Sequence, residues 1–202
     1  MGGWAHAVAA LGVVALIIGG CATEPRVPFT EAQARAAVPS DMPPNVRFWA
    51  DAPPSVLRGV ARPPVTQSGK PFIYLALSGG GGGGAYGAGV LNGWTERGTR
   101  PEFTVVSGVS TGALIASFAF LGPAYDATLK RIYTSGEAED LLRDPNPLGA
   151  FFGDGLYGRA RLRRMVERYL DDSLLQAIAA EDAKGRRLLV ATTDLDSQRT
   201  AI

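Results

Sequence analysis

Two stretches of this chain carry residue types in an order that could do chemistry. Ser78 is followed by six consecutive glycines, Gly79 to Gly84, and further on Gly108-Val109-Ser110-Thr111-Gly112 fits the pattern G-x-S-x-G. A serine between two glycines suits a sharp strand-to-helix turn: neighbouring backbone passes close at each glycine, and the hydroxyl stands exposed beside a helix N-terminus, where it can act as a nucleophile. The same residues have a plainer use. Ser110 or Thr111 could simply cap the helix that begins near Ala113, and the pattern alone does not choose.

The glycine run narrows the choice. Successive glycines between a strand and a helix let several backbone N–H groups converge on one anion, with help from the helix dipole. Three anions are open: a mononucleotide phosphate, a dinucleotide pyrophosphate, or the oxyanion of an acyl-transfer intermediate. A P-loop needs Gly-Lys-Ser/Thr at its end, whereas Gly84 is followed by Ala85-Tyr86. Gly79, Gly81 and Gly84 meet G-x-G-x-x-G formally. The acidic residue that should end the next strand is missing, however, because Ser107-Gly108 stands there. A flexible linker is disfavoured by the apolar segments on both sides. An oxyanion loop built on Gly79, Gly80, Gly81, Gly82 and Gly84 remains the economical account.

A serine nucleophile needs a base. The sole histidine is His6, which lies in a segment read below as removed, so a Ser-His-Asp arrangement does not form around Ser110. The lysines are Lys70, Lys130 and Lys184, each in polar or helical surroundings that suit a solvated charge. An aspartate whose pKa is lifted by burial is the better base. Asp154-Gly155 sits in a Pro/Gly-rich loop and reads as a turn, and Asp194 and Asp196, just after a strand, read the same way.

The ordered pair of motifs, Leu77-Ser78-Gly79-Gly80-Gly81 with Gly84 and then Gly108 to Gly112, resembles the patatin-like phospholipase family, from about Pro71 to Ile202. The resemblance implies a three-layer α/β/α fold with a mainly parallel sheet, a Ser-Asp dyad with Ser110 as nucleophile, a lipid or ester substrate, and lipid acyl hydrolysis without metal or other cofactor. Gly83 departs from the family pattern, which usually has a basic residue at that place. The dyad aspartate of the family sits in a D-G-[G/A] motif after further strands. That motif is not found between residues 71 and 202, and Thr200-Ala201-Ile202 looks like a strand beginning. We therefore expect residues 71–202 to be the N-terminal part of such a domain, with the base lying beyond it. A catalytically incomplete lipoprotein that binds lipid or a protein partner is the alternative.

The elements that must hold these motifs follow from pattern. Phe72 to Leu77 and Phe103 to Ser107 are short apolar runs bounded by glycine, the signature of buried parallel strands, and Arg187 to Thr193 returns as a third. In such sheets the site lies beyond the carboxyl ends of the strands. After the glycine run, Ala85, Gly89 and Gly93 recur at every fourth position and are expected to form the close-packing face of a helix. Ala113 to Leu121 is uniformly apolar and reads as a buried helix stopped by Gly122-Pro123. Further helices are expected over Ala124 to Tyr133, over Arg159 to Leu170 with Glu167 four residues after Arg163, and from an Asp172 or Ser173 cap to Ala183. Asn146 to Gly158, with Phe151, Phe152, Leu156 and Tyr157, is read equally as a lipid-facing lid or as a loop docked on the core.

The N-terminus has its own logic. Ala7 to Ile18 is a run of twelve apolar or glycine residues, the length of a secretory h-region and short of the ~20 that span a bilayer. Ile18-Gly19-Gly20-Cys21 resembles a bacterial lipobox, so residues 1–20 are expected to be a lipoprotein signal and Cys21 the lipidated residue. A plain signal peptide or a short anchor is the alternative. Lipidation would make this an exported, membrane-anchored protein, and Ala22 then implies the outer membrane in a diderm bacterium. Cys21 is the only cysteine, so no intramolecular disulfide forms. Residues 21–70 read as a tether: nine of the fourteen prolines lie between Pro25 and Pro64. One short helix is expected over Thr30 to Val38, and Phe48-Trp49 is available to dock. The formal charge of +1 gives no reason to expect nucleic acid, no ligand-spaced metal cluster is present in the sequence, and the sequence is silent on oligomeric state.

Overall fold

The computed structural model describes residues 28–36, 47–55, 64, 65, 69–136, 159–194 and 197–202. The expected leader, Cys21, and the segment from Asn146 to Gly158 lie outside them, as do Asp154 and Asp196.

Strand β1, Tyr74–Leu77, leads through the glycine run to helix α2, Gly84–Glu96; β2, Val105–Val109, leads through Ser110 to α3, Thr111–Leu121. Helix α1, Glu31–Ala36, precedes them. Then come α4, Asp126–Thr134, α5, Arg159–Tyr169, α6, Asp172–Ala183, and the strands β3, Arg187–Asp194, and β4, Arg199–Ala201. The sheet order is β1-β2-β3-β4. The first three strands are parallel, with Leu75, Val106 and Leu188 in register, and β4 returns antiparallel to β3. This mostly parallel sheet with flanking helices is the α/β architecture the motifs imply.

Helix α3 is the centre of the core. Leu114, Ile115, Ala116, Phe118, Ala119 and Phe120 are all buried, and Val106 of β2 and Leu129 and Ile132 of α4 join them. Fully burying one such side chain contributes about 1.5–3 kcal/mol, so this helix is held by packing all around it. Ser110 immediately precedes it at the N-cap position, so the packing that fixes α3 also fixes the serine. Among the described residues the buried core lies on one face of the sheet. The other face carries the half-exposed Tyr74 and Val109 and a groove of about 380 Å³. Two of the three expected layers are thus present among the described residues.

Helix α2 corrects one expectation. Its buried residues are Gly84, Ala88 and Leu91, while Ala85, Gly89 and Gly93 are exposed. Both sets fit one face of a helix, and the one that includes the bulky Leu91 turns inward because it removes more apolar area from water. Helix α6 corrects another by one residue: its cap is Asp171, whose Oδ1 accepts from the Leu174 N–H at 2.8 Å. Gly185, at φ +97°, follows this helix.

Part of the proline-rich stretch packs on the sheet. Phe48 and Ile202 exchange two backbone hydrogen bonds, each 2.8 Å, and the Ala50 N–H donates to Thr200 O at 2.9 Å. Residues 48–50 thereby cover the outer edge of β4. The Arg199 guanidinium lies 4.4 Å from the centre of the Trp49 ring and holds Asp51 through Nη2 to Oδ1 at 2.6 Å.

At the far end of the strands two arginines pin the layers. Arg186 donates to the Phe103 carbonyl at 2.8 Å and to Glu181 Oε2 at 2.8 Å, tying β3 to the entry of β2. Arg100, with a side chain only 2% exposed, reaches Asp126 Oδ1 at 2.7 Å.

Candidate active site

Both glycine motifs finish at the carboxyl ends of adjacent parallel strands, and the N-termini of α2 and α3 meet there. Ser110 takes φ +53° and ψ −125°, a backbone state that costs a non-glycine residue on the order of 1–3 kcal/mol. Although it occupies the N-cap position of α3, its side chain makes no capping hydrogen bond, and the residue is exposed. The hydroxyl is therefore not engaged in the capping role that the pattern also allowed.

The flanking glycines have steric duties. A Cβ on Gly108 would run into the carbonyl of Gly112 and the Cα of Ala113, and one on Gly112 would run into the carbonyls of Leu77 and Ser78. Gly108 lets the first turn of α3 fold back over β2; Gly112 lets it pass the end of β1. The glycine run meets the serine at Gly79, where a Cβ would stand 3.0 Å from Ser110 Cβ and 3.7 Å from its Oγ. The structure thus brings Gly79, Ser110, Gly108 and Gly112 into one small volume.

The remaining glycines divide by function. Gly81 sits at φ +54°, which glycine adopts without cost, and opens a single 3₁₀ turn, Gly81–Gly83. In that turn the Gly83 N–H donates to Gly80 O at 2.9 Å, and the Gly84 N–H turns to the carbonyls of Gly81 and Gly82. Gly84 is wedged, for its Cβ would collide with Thr111 Cγ2 and come within 2.7 Å of the Tyr133 hydroxyl. At Gly83 a Cβ would meet nothing within 4 Å, so a basic side chain would fit there and this chain simply lacks it. Gly82 is exposed in the same turn.

The candidate bases fall elsewhere. Lys70 and Lys184 line a hollow of about 250 Å³ with Ile73 and Thr104, at the opposite end of the strands from Ser110. Lys184 is hydrogen-bonded to Glu181, whose carboxyl is held below its ordinary value chiefly by that contact and by Arg186. Lys130 is exposed on α4. Asp194 ends β3, and its Oδ1 accepts from the Ser197 N–H at 3.2 Å, the turn-forming role expected of it. Among the described residues no group of three His, Cys, Asp or Glu side chains could hold a metal ion.

The family model described as patatin-like phospholipase matches residues 75–197, from β1 into the turn between β3 and β4. The chain belongs to the patatin-like phospholipase family. That family is one of lipid acyl hydrolases, and the match takes in the glycine loop and the Ser110 turn together. No curated protein and no solved structure matches the chain in the corresponding comparisons.

Beside the glycine loop of this patatin-like chain lies a residue that sequence reasoning passed over. Tyr133 was legible only as part of a helix, yet its hydroxyl is buried against Gly84, without a hydrogen-bond partner among the described residues. Burial pushes its pKa up to about 12. Only the fold, which brings the last turn of α4 under the glycine loop, could have pointed to it.

Proposed function

We propose that this patatin-like chain is a serine lipid acyl hydrolase of phospholipase A or esterase type. Ser110 Oγ attacks the carbonyl carbon of an ester. The carbonyl oxygen becomes an oxyanion facing backbone N–H groups from Gly80 to Gly82, and a carboxylate takes the serine proton. Collapse of the tetrahedral species then returns that proton to the departing alcohol, and water repeats the sequence to release the fatty acid. For the base, the family resemblance implies the aspartate of a D-G-[G/A] motif.

What carries this reading is the approach of Gly79 to an exposed, backbone-strained Ser110: 3.0 Å from an ideal Cβ at position 79 to the serine Cβ. Two helix N-termini add positive potential at the same point. A fluorophosphonate probe should label the protein at Ser110, and Ser110→Ala should abolish labelling. Persistent labelling of the alanine variant refutes the nucleophile.

The anchor belongs to the same proposal. Lipidation at Cys21 would bring the domain to its substrate surface, each buried methylene contributing about 0.8 kcal/mol. Supporting it are the h-region-length apolar run from Ala7 to Ile18 and the small residues before the cysteine. Membrane fractionation of Cys21→Ser tests it: the variant should become soluble, and undiminished membrane association removes the anchor.

A further inference from the structure

The hollow at the entry to the strands is built from parts of the chain far apart in sequence. Val65 comes from the proline-rich stretch, Ile73 precedes β1, Phe103 precedes β2 and Arg186 precedes β3. Gly185 lets Val65 close one side. A Cβ there would stand 2.5 Å from the Val65 Cβ, and the Val65 N–H donates to the Gly185 carbonyl at 2.9 Å. The hollow measures about 250 Å³, more than the roughly 150 Å³ of an engineered apolar cavity that takes up benzene.

Its walls are of two kinds. Val65, Ile73 and Phe103 are apolar, and Lys70, Lys184 and Arg186 bring three positive charges beside them. Two carboxylates answer these cations unequally. Glu181 is held tightly, 2.6 Å from Lys184 Nζ and 2.8 Å from Arg186 Nη1. Glu102 is held loosely: its oxygens lie 3.5 Å from Lys70 Nζ and 3.8 Å from Arg186 Nη1, and its side chain is 58% exposed. Charge-assisted hydrogen bonds close to about 2.7–2.9 Å. Glu102 therefore marks a place between Lys70 and Arg186 where a carboxylate fits, and it fills that place incompletely. Three cations against two carboxylates leave one positive charge over.

We propose that this hollow is a second ligand site, which takes a monocarboxylate carrying an apolar chain. The incoming carboxylate displaces that of Glu102 from between Lys70 and Arg186, and the chain lies on Val65, Ile73 and Phe103. The chain leaves water, and the carboxylate meets the charge that Glu102 matches poorly. A fatty acid has this chemistry, so the product released at Ser110 under the reading above belongs to the ligand class. The site itself does not depend on that reading.

Octanoate is the probe, titrated into the full chain and followed by amide resonances. It should move those of Ile73, Thr104 and Lys184 and leave Gly79 and Ser110 in place. Movement confined to Gly79 and Ser110, or none at all, overturns the proposal. Glu102→Gln removes the resident carboxylate and should tighten octanoate by about 3- to 5-fold, whereas Lys70→Ala should weaken it by as much. Both side chains are more than half exposed, so the fold tolerates either change. Glu167→Gln and Lys130→Ala alter net charge equally at exposed positions outside the hollow and should leave the affinity unchanged. If they act as strongly as the first pair, octanoate senses only net charge and the site is refuted. Octanol, which has the chain without the charge, should bind about 3-fold more weakly or less tightly still; octanol binding as well as octanoate would show that the cations take no part and would end the proposal.

Discussion

Gly79 and Ser110 are close enough that a methyl group on the glycine would sit 3.0 Å from the serine Cβ and 3.3 Å from the Val109 carbonyl. The two residues end different strands, and their contact is where the glycine loop meets the nucleophile turn. Gly79→Ala should displace one against the other by a few tenths of an ångström. Displacements of that kind at a reacting group slow it by about 10-fold or more, so fluorophosphonate labelling should fall while the fold persists. Gly83→Ala is the control, in the same loop at φ −62° with open space around its Cβ. It should label normally and gain about 0.4–1 kcal/mol, through a less flexible unfolded chain. Equal labelling of the two variants would contradict this picture of the site.

The backbone at Ser110 gives a second prediction, this time on stability. With φ at +53° the residue is strained, and glycine would not be. Ser110→Gly should raise the unfolding free energy by about 1–2 kcal/mol, within the cost expected of such outliers, and Ser110→Ala should not. Urea denaturation of the three proteins decides it. A glycine variant no more stable than wild type would mean the turn is relaxed by other means.

How far the sequence alone could go is clear from particular residues. Gly108 and Gly112 were legible because the motif encodes a steric demand that the neighbouring carbonyls of Gly112, Leu77 and Ser78 do impose. The three parallel strands were legible because each is a short apolar run ending in a turn. The inward face of α2 was not, since Ala85/Gly89/Gly93 and Gly84/Ala88/Leu91 each fit one face of a helix and only packing selects between them. The edge pairing of Phe48 with Ile202 spans most of the chain, a separation that no local pattern encodes. Tyr133 was invisible for the same reason: its partner Gly84 is a neighbour only once α4 lies beneath the loop.

The buried pair Arg100 and Asp126 should matter to folding rather than to chemistry. It lies at the entry to the strands, with the Arg100 side chain 2% and the Asp126 side chain 11% exposed. Asp126→Ala leaves a buried guanidinium with, among the described residues, hydrogen bonds to Thr95 Oγ1 and the Ala119 carbonyl, each at 3.2 Å. Breaking such pairs from one side costs about 3–5 kcal/mol. The loss should appear in urea unfolding, and a change under about 1 kcal/mol would show that Arg100 finds adequate partners without it.

Arg199 fastens the docked proline-rich segment. It stacks 4.4 Å from the Trp49 centre and forks onto both oxygens of Asp51. Exposed contacts of this kind add little, so Arg199→Ala should lower the urea midpoint only slightly. Arg199→Lys should recover little of it, because an ammonium supplies neither the planar stack nor the fork. A lysine variant indistinguishable from wild type would reduce the contact to simple charge attraction.

Alkaline unfolding offers a last check, centred on Tyr133. Burial raises its folded pKa from 10.0 to about 12, because the phenolate would have to form out of water. The folded state thus keeps the proton more tightly than the unfolded state. Between those two values the unfolded chain ionises first, and stability falls as pH rises. Tyr133→Phe has no proton to lose. Its unfolding free energy relative to wild type should be flat up to about pH 9 and then climb, reaching about 1 kcal/mol near pH 11. Taking the difference between the two proteins cancels the other tyrosines and the lysines. A difference that stays flat through this range would place the Tyr133 hydroxyl in contact with solvent.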